Sequence, residues 1–157
     1  MKKFELTNEF ITNMFGTKLF RIRALVEFGD VEAGELGGYV EKESNLGHDD
    51  NAWVYGNARV CGDALVCGNA RVCSDEDYAY AHGFGSVNRT TTFFRLKDGG
   101  VGVRCGCFYG TLAQFRDKIR ETHGETKKAQ EYLMLADLME LRFEEDENEV
   151  GNRKYVE

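Results

Sequence analysis

The 157-residue sequence predicts a mostly β, α+β fold built on a short parallel β-solenoid of six-residue repeats. Three observations predict it. Valine recurs at 54, 60, 66 and 72, with alanine at 58, 64 and 70. A Gly-Asn or Gly-Asp pair fills each hexad at 56–57, 62–63 and 68–69, marking a turn every six residues. Proline is absent while glycine numbers 18, so every sharp turn rests on Gly, Asn or Asp.

The elements follow in chain order. Residues 1–35 read as an N-terminal β cap. The stretch Thr17 to Phe28 alternates apolar and polar positions in part, and Asn13 to Gly16 is a plausible turn. Gly29-Asp30 and Gly34 to Gly38 lead into residues 36–83, the solenoid. There the hexad frame extends backwards through Leu36 and Val40, Lys42 and Leu46, then His48 and Ala52, for about seven hexads in all. Lys42, His48 and Glu76 depart from the pattern. Each hexad makes one short strand and one corner, and three of them close a triangular coil of about 18 residues. That spacing predicts stacks of Leu36, Val54 and Val72, of Val40 and Ala58, and of Ala52 and Ala70. Two to three coils leave open ends, which the flanking segments are expected to cap.

Residues 84–143 read as a ββαα module. Thr90 to Lys97 and Val101 to Cys107 form a hairpin about Gly99-Gly100, pairing Lys97 with Gly102, Leu96 with Val103, Arg95 with Arg104 and Phe94 with Cys105. Thr111 and Gln114 form a capping box ahead of a helix striped by Leu112, Phe115 and Ile119 and ending at His123-Gly124. A second helix from about Thr126 to Phe143 buries Ala129, Tyr132, Leu133, Ala136, Met139 and Phe143. Residues 144–157 form an acidic tail.

Composition excludes several classes. Hydrophobic residues make up 42%, enough for a core. No apolar run approaches the ~18 residues that span a bilayer, and no apolar stretch follows Lys2-Lys3, so neither membrane association nor a signal peptide is expected. Five cysteines suit reduced thiols in a cytoplasmic setting. The net charge is −7, with residues 36–83 (three basic, eight acidic) at −5 and residues 84–139 (nine basic, six acidic) at +3. An acidic body does not bind DNA directly, because phosphate neutralisation dominates that affinity. It can compete with nucleic acid for a basic partner.

Candidate sites are few. On the expected triangular coil Cys61, Cys67 and Cys73 fall on successive sides and point apart, so no metal is expected there. Cys105 and Cys107 supply two ligands where zinc takes four. No phosphate loop, dinucleotide fingerprint or nucleophile elbow is present, and no cofactor is expected. Two faces remain as binding candidates. Trp53, Tyr55, Arg59 and Arg71 are expected to point outward from the coils as a flat contact surface. Arg95, Lys97 and Arg104, with Phe93 on the same hairpin face, form the one basic patch with an aromatic, suited to a phosphate or nucleotide.

Three stretches carry a resemblance: Gly37-Gly38-Tyr39-Val40-Glu41 through Val60, Thr90 to Phe94 with Cys105 to Thr111, and Glu121-Thr122-His123-Gly124. Together they resemble a family of small hexapeptide-repeat proteins encoded by bacteriophages and prophages, over most of residues 24–143. The resemblance implies a left-handed parallel β-helix, a phage or mobile-element origin, and a homo-oligomer, dimer or trimer. For a small acidic protein of phage origin the expected function is a non-enzymatic binding protein that inhibits a host defence component, either by blocking a basic nucleic-acid-binding protein, which suits the −7 charge, or by sequestering a nucleotide signal on the Arg95, Lys97 and Arg104 face. Hexapeptide-repeat acyltransferases, which use a histidine as base between solenoids, supply the alternative, with His48 and His82 as candidates. A structural scaffold is a third reading.

Overall fold

The computed structural model describes residues 2–85 and 89–144. It is a mixed α+β fold with three separate sheets. In the first, β1 (Phe4–Thr12), β2 (Lys18–Ala24) and β3 (Leu36–Val40) run antiparallel in order, and the two-residue β5 (Arg59–Val60) adds to β3 in parallel. The β1–β2 turn forms where Asn13 Oδ1 accepts the Phe15 and Thr17 amides and Gly16 takes φ 83°. The second sheet is the two-residue parallel pair β4 (Trp53–Val54) and β6 (Arg71–Val72). The third is an antiparallel meander of β7 (Tyr78–Phe84), β8 (Arg89–Arg95), β9 (Val101–Cys105) and β10 (Phe108–Thr111).

The expected parallel β-helix, left-handed or otherwise, is not formed. Three local features show why. Among the described residues, parallel pairing is confined to β3/β5, β4/β6 and a single Leu46–Val66 bridge. The pairing also lacks one spacing: Tyr39 opposes Arg59 and Leu46 opposes Val66, whereas Trp53 opposes Arg71. The backward extension of the frame therefore fails at its two irregular positions. Lys42 leads into a short 3-10 helix, Glu43–Asn45, whose Asn45 accepts the Lys42 amide and donates to the Gly62 and Ala64 carbonyls. His48 lies outside any strand and stacks on Phe4, with ring centroids 4.4 Å apart. Beyond Val72 the chain leaves for the antiparallel meander. Leu36, expected in a core stack, is 55% exposed and pairs with Arg23, while Val40 opposes Val60 rather than Ala58. What the hexads do set is the corner: Gly56, Gly62 and Gly68 have φ of 58°, 66° and 68°, the left-handed region open to glycine. Val54 lies opposite Val72.

The meander separates two hydrophobic cores. The first gathers Phe4, Ile22, Val40, Leu46, Trp53, Val54, Val60, Val66, Val72 and Phe94. The second gathers Phe93, Val103, Phe115, Ile119, Tyr132, Ala136, Met139 and Phe143 beneath two helices, α1 (Leu112–His123) and α2 (Lys127–Phe143). Adjacent residues of β8 thus face opposite cores, as strand alternation requires. Thr111 accepts the Gln114 amide and Gln114 Oε1 accepts the Thr111 amide, the reciprocal cap of α1. Leu133, expected in the buried face of α2, is half-buried.

The β8/β9 hairpin corrects the expected register. Arg95 opposes Val101, Phe94 opposes Gly102, Phe93 opposes Val103 and Thr92 opposes Arg104. The connection is longer than Gly99-Gly100: the Leu96 amide donates to Gly100 O and the Gly99 amide to Leu96 O, with Gly99 at φ 91°. The register moves by an odd number of residues, so one strand's side chains change faces relative to the other. Phe94 and Leu96 consequently belong with the first core, while Val103 and Cys105 pack with the second. Among the described residues no helix is long and apolar enough to cross a membrane.

Candidate functional site

The structure takes apart both expected binding faces. Trp53, expected outward, has no exposed surface. Phe4 and Phe28 meet its indole edge-on at 6.3 and 5.2 Å, because β1 and the turn after β2 cover the side of β4 that the repeat alone would leave in solvent. Phe93 is equally buried, 5.9 Å from Phe115 in a perpendicular arrangement. Arg95 is half-buried and acts as a clamp: it donates to the Phe143 carbonyl at 3.0 Å, lies over the Phe143 ring, and has Asp77 3.9 Å away. Arg104 points to the other face of β9, opposite Thr92 and beside the Cys67 thiol. Arg59 is exposed and lines a separate shallow depression with Asp75 and Arg142.

Three of the expected residues do converge. Tyr55, Arg71 and Lys97 line a cavity of about 560 Å³ where the Gly29–Asp30 turn, the Asn69–Arg71 corner and the β8–β9 loop meet. The wall is stitched by an antiparallel bridge between Ala70 and Leu96 and by the Lys97 amide donating to Asn69 O at 2.9 Å. The Arg71 guanidinium lies over the Tyr55 ring, 5.0 Å from its centroid. Asp30 bridges the two cations, 3.3 Å from Lys97 Nζ and 4.0 Å from Arg71. These pairs are about half exposed and hold little energy, so a ligand can rearrange them. Burial pushes the Tyr55 phenol above its ordinary pKa, keeping it a neutral donor. Asp98 also lines the cavity, but its Oδ1 is taken by the Gly100 amide at 2.8 Å. Asn51 and Asn69 complete the polar lining.

Asp30, Asn51 and Asn69 were not singled out from sequence. Asp30 reads there as a lead-in turn and Asn69 as a corner residue, and no local pattern marks them or Asn51 as neighbours of Lys97.

The histidines sit apart from this cavity. His48 Nδ1 accepts the Lys3 amide at 3.1 Å, and its Nε2 lies 3.7 Å from Glu43. His82, exposed on β7, shares a 2.7 Å hydrogen bond with Thr90 Oγ1. Among the described residues no three His, Cys, Asp or Glu side chains gather as a metal site. No protein-family model, curated protein or solved structure matches this chain.

Proposed function

We propose that the protein is a non-enzymatic binding protein that captures a ribonucleotide in the Tyr55–Arg71–Lys97 cavity. The observation that carries this reading is the convergence on one cavity of an aromatic ring with a guanidinium laid over it, a lysine, and a carboxylate between the two cations. A nucleotide offers the matching groups. Its base stacks against an aromatic or guanidinium plane. Its ribose diol donates to a carboxylate such as Asp30. Its phosphate replaces Asp30 as the partner of Lys97 and Arg71. The cavity's size falls within the range of small-ligand sites. If the chain is phage-encoded, as its resemblance implies, such a protein inhibits a host defence by withdrawing its nucleotide signal.

Calorimetric titration with mono-, di- and cyclic ribonucleotides tests this. At least one binds, and Arg71→Ala or Lys97→Ala weakens it about ten- to a hundredfold, the cost of losing a charged hydrogen bond. Arg59→Ala leaves binding intact. Asp30→Asn narrows the preference for ribo- over 2′-deoxyribonucleotide. The ligand is recovered unchanged from the complex. Failure of every nucleotide to bind sinks the proposal, and consumption of the ligand sinks its non-enzymatic part.

A further inference from the structure

A second cavity, of about 280 Å³, lies on the other side of the β8–β9 hairpin and shares no lining residue with the first. Its rim carries Arg89, Lys118 and His123, the half-buried Phe108 lines its inside with the buried Tyr132 behind, and Cys107 stands at its edge. Each group is placed by a different element. The tight turn joining β9 to β10 brings Cys105 opposite Phe108 and sets Gly106 at φ 59°. Arg89, at the start of β8, folds across that turn so closely that a Cβ on Gly106 would strike its guanidinium. Lys118 and His123 project from the last turns of α1. His123 stacks on Tyr132, centroids 5.9 Å apart at 26°.

The electrostatics differ from those of the first cavity. Among the described residues no carboxylate lines this one, in a chain whose net charge is −7. The carbonyl end of α1 subtracts about half a charge. Glu121 lies 3.8 Å from Lys118, exposed and outside the cavity. Two full cations and an imidazole still outweigh both. Beneath this positive rim the surface is aromatic and aliphatic, and the space is half that of the first cavity.

We propose that this cavity is a binding site for a small one-ring aryl phosphate, the phosphate held by Arg89 and Lys118 at the rim and the ring set against Phe108. An anionic head on a flat apolar body is the ligand shape that a basic mouth over an aromatic floor complements.

The cysteines provide the assay. Cys107 is exposed at the cavity edge, while Cys73 is exposed elsewhere and serves as an internal reference. Iodoacetamide labelling of the full chain, read peptide by peptide, is run with phenyl phosphate, inorganic phosphate or phenol. With phenyl phosphate at ten times its dissociation constant, Cys107 labelling slows about tenfold relative to Cys73, the fraction of sites left open by mass action. Inorganic phosphate and phenol, each offering half of the interaction, protect less at the same concentration. The Arg89→Ala/Lys118→Ala double variant, altered only at exposed positions, keeps its circular dichroism spectrum and loses the protection; Arg71→Ala retains it. A Cys107 rate, relative to Cys73, that phenyl phosphate leaves unchanged at saturation, equal protection by inorganic phosphate, or protection that survives the double variant overturns the proposal.

Discussion

Lys3 sits at the second residue described, yet it is 3% exposed. Its Nζ donates to the Ala52 carbonyl at 2.6 Å, the Asp50 carbonyl at 3.0 Å and Asp50 Oδ1 at 3.3 Å, and lies over the Phe28 ring. Lys3→Met keeps the apolar stem and removes the ammonium. Breaking one half of a buried ion pair costs about 3–5 kcal/mol. Two features lower the figure here. Asp50 keeps two backbone donors, the Ala52 amide at 3.1 Å and the Gly68 amide at 2.7 Å, so its charge is not stranded. Burial also pulls the Lys3 pKa below its usual 10.5, with Asp50 opposing the shift, so the ammonium is itself costly to hold. A loss of about 2–3 kcal/mol is expected, chiefly from the deserted carbonyls. Urea unfolding followed by circular dichroism measures it as a lower midpoint at unchanged slope. A double-variant cycle with Asp50→Asn separates pairing from desolvation. A loss below about 0.5 kcal/mol, the size of an ordinary surface change, would refute the view that Lys3 ties β1 to the 50–52 segment.

Other outcomes follow from single features. Burial raises the Cys67 thiol from 9.0 to about 11. The folded value exceeds the unfolded one, so this contribution to stability is complete below pH 9 and is lost as pH rises through about 11; Cys67→Ala flattens stability over that window in the same denaturation assay. Thr111→Ala removes the acceptor for the Gln114 amide and costs about 1 kcal/mol, measured by thermal melting. Trp53, the sole tryptophan, is fully buried among Phe4 and Phe28, so its emission is blue-shifted in the native protein and resists acrylamide quenching until unfolding. Free quenching of the native protein would return Trp53 to the surface.

Features decided by neighbours in the chain are legible in the sequence. The cap at Thr111, the stripe Leu112, Phe115 and Ile119, and the left-handed glycines of the hexads depend on residues a few positions apart. Features decided across the chain are not. Nothing near Trp53 announces that Phe28 and Phe4 will cover it, and nothing near Lys3 announces Asp50. The parallel register failed because a period counts residues evenly, whereas Asn45 draws the chain into a 3-10 turn by bonding carbonyls of another segment. In the candidate site, Tyr55, Arg71 and Lys97 were visible as polar or aromatic residues beside turns. Their meeting, and the carboxylate between them, depends on the Ala70–Leu96 bridge that no local spacing encodes.

The opposed neighbours Phe93 and Phe94 have a consequence for how such a chain can evolve. Each side of β8 answers to a different part of the polypeptide, Phe93 to α1 and α2, Phe94 to the hexads and Tyr109. Recombination that exchanged everything after residue 84 would import a strand already fitted on one side and unfitted on the other. Two adjacent codons should therefore carry separate substitution histories, position 93 changing in step with residues 115 and 132 and position 94 with the valines of the repeat.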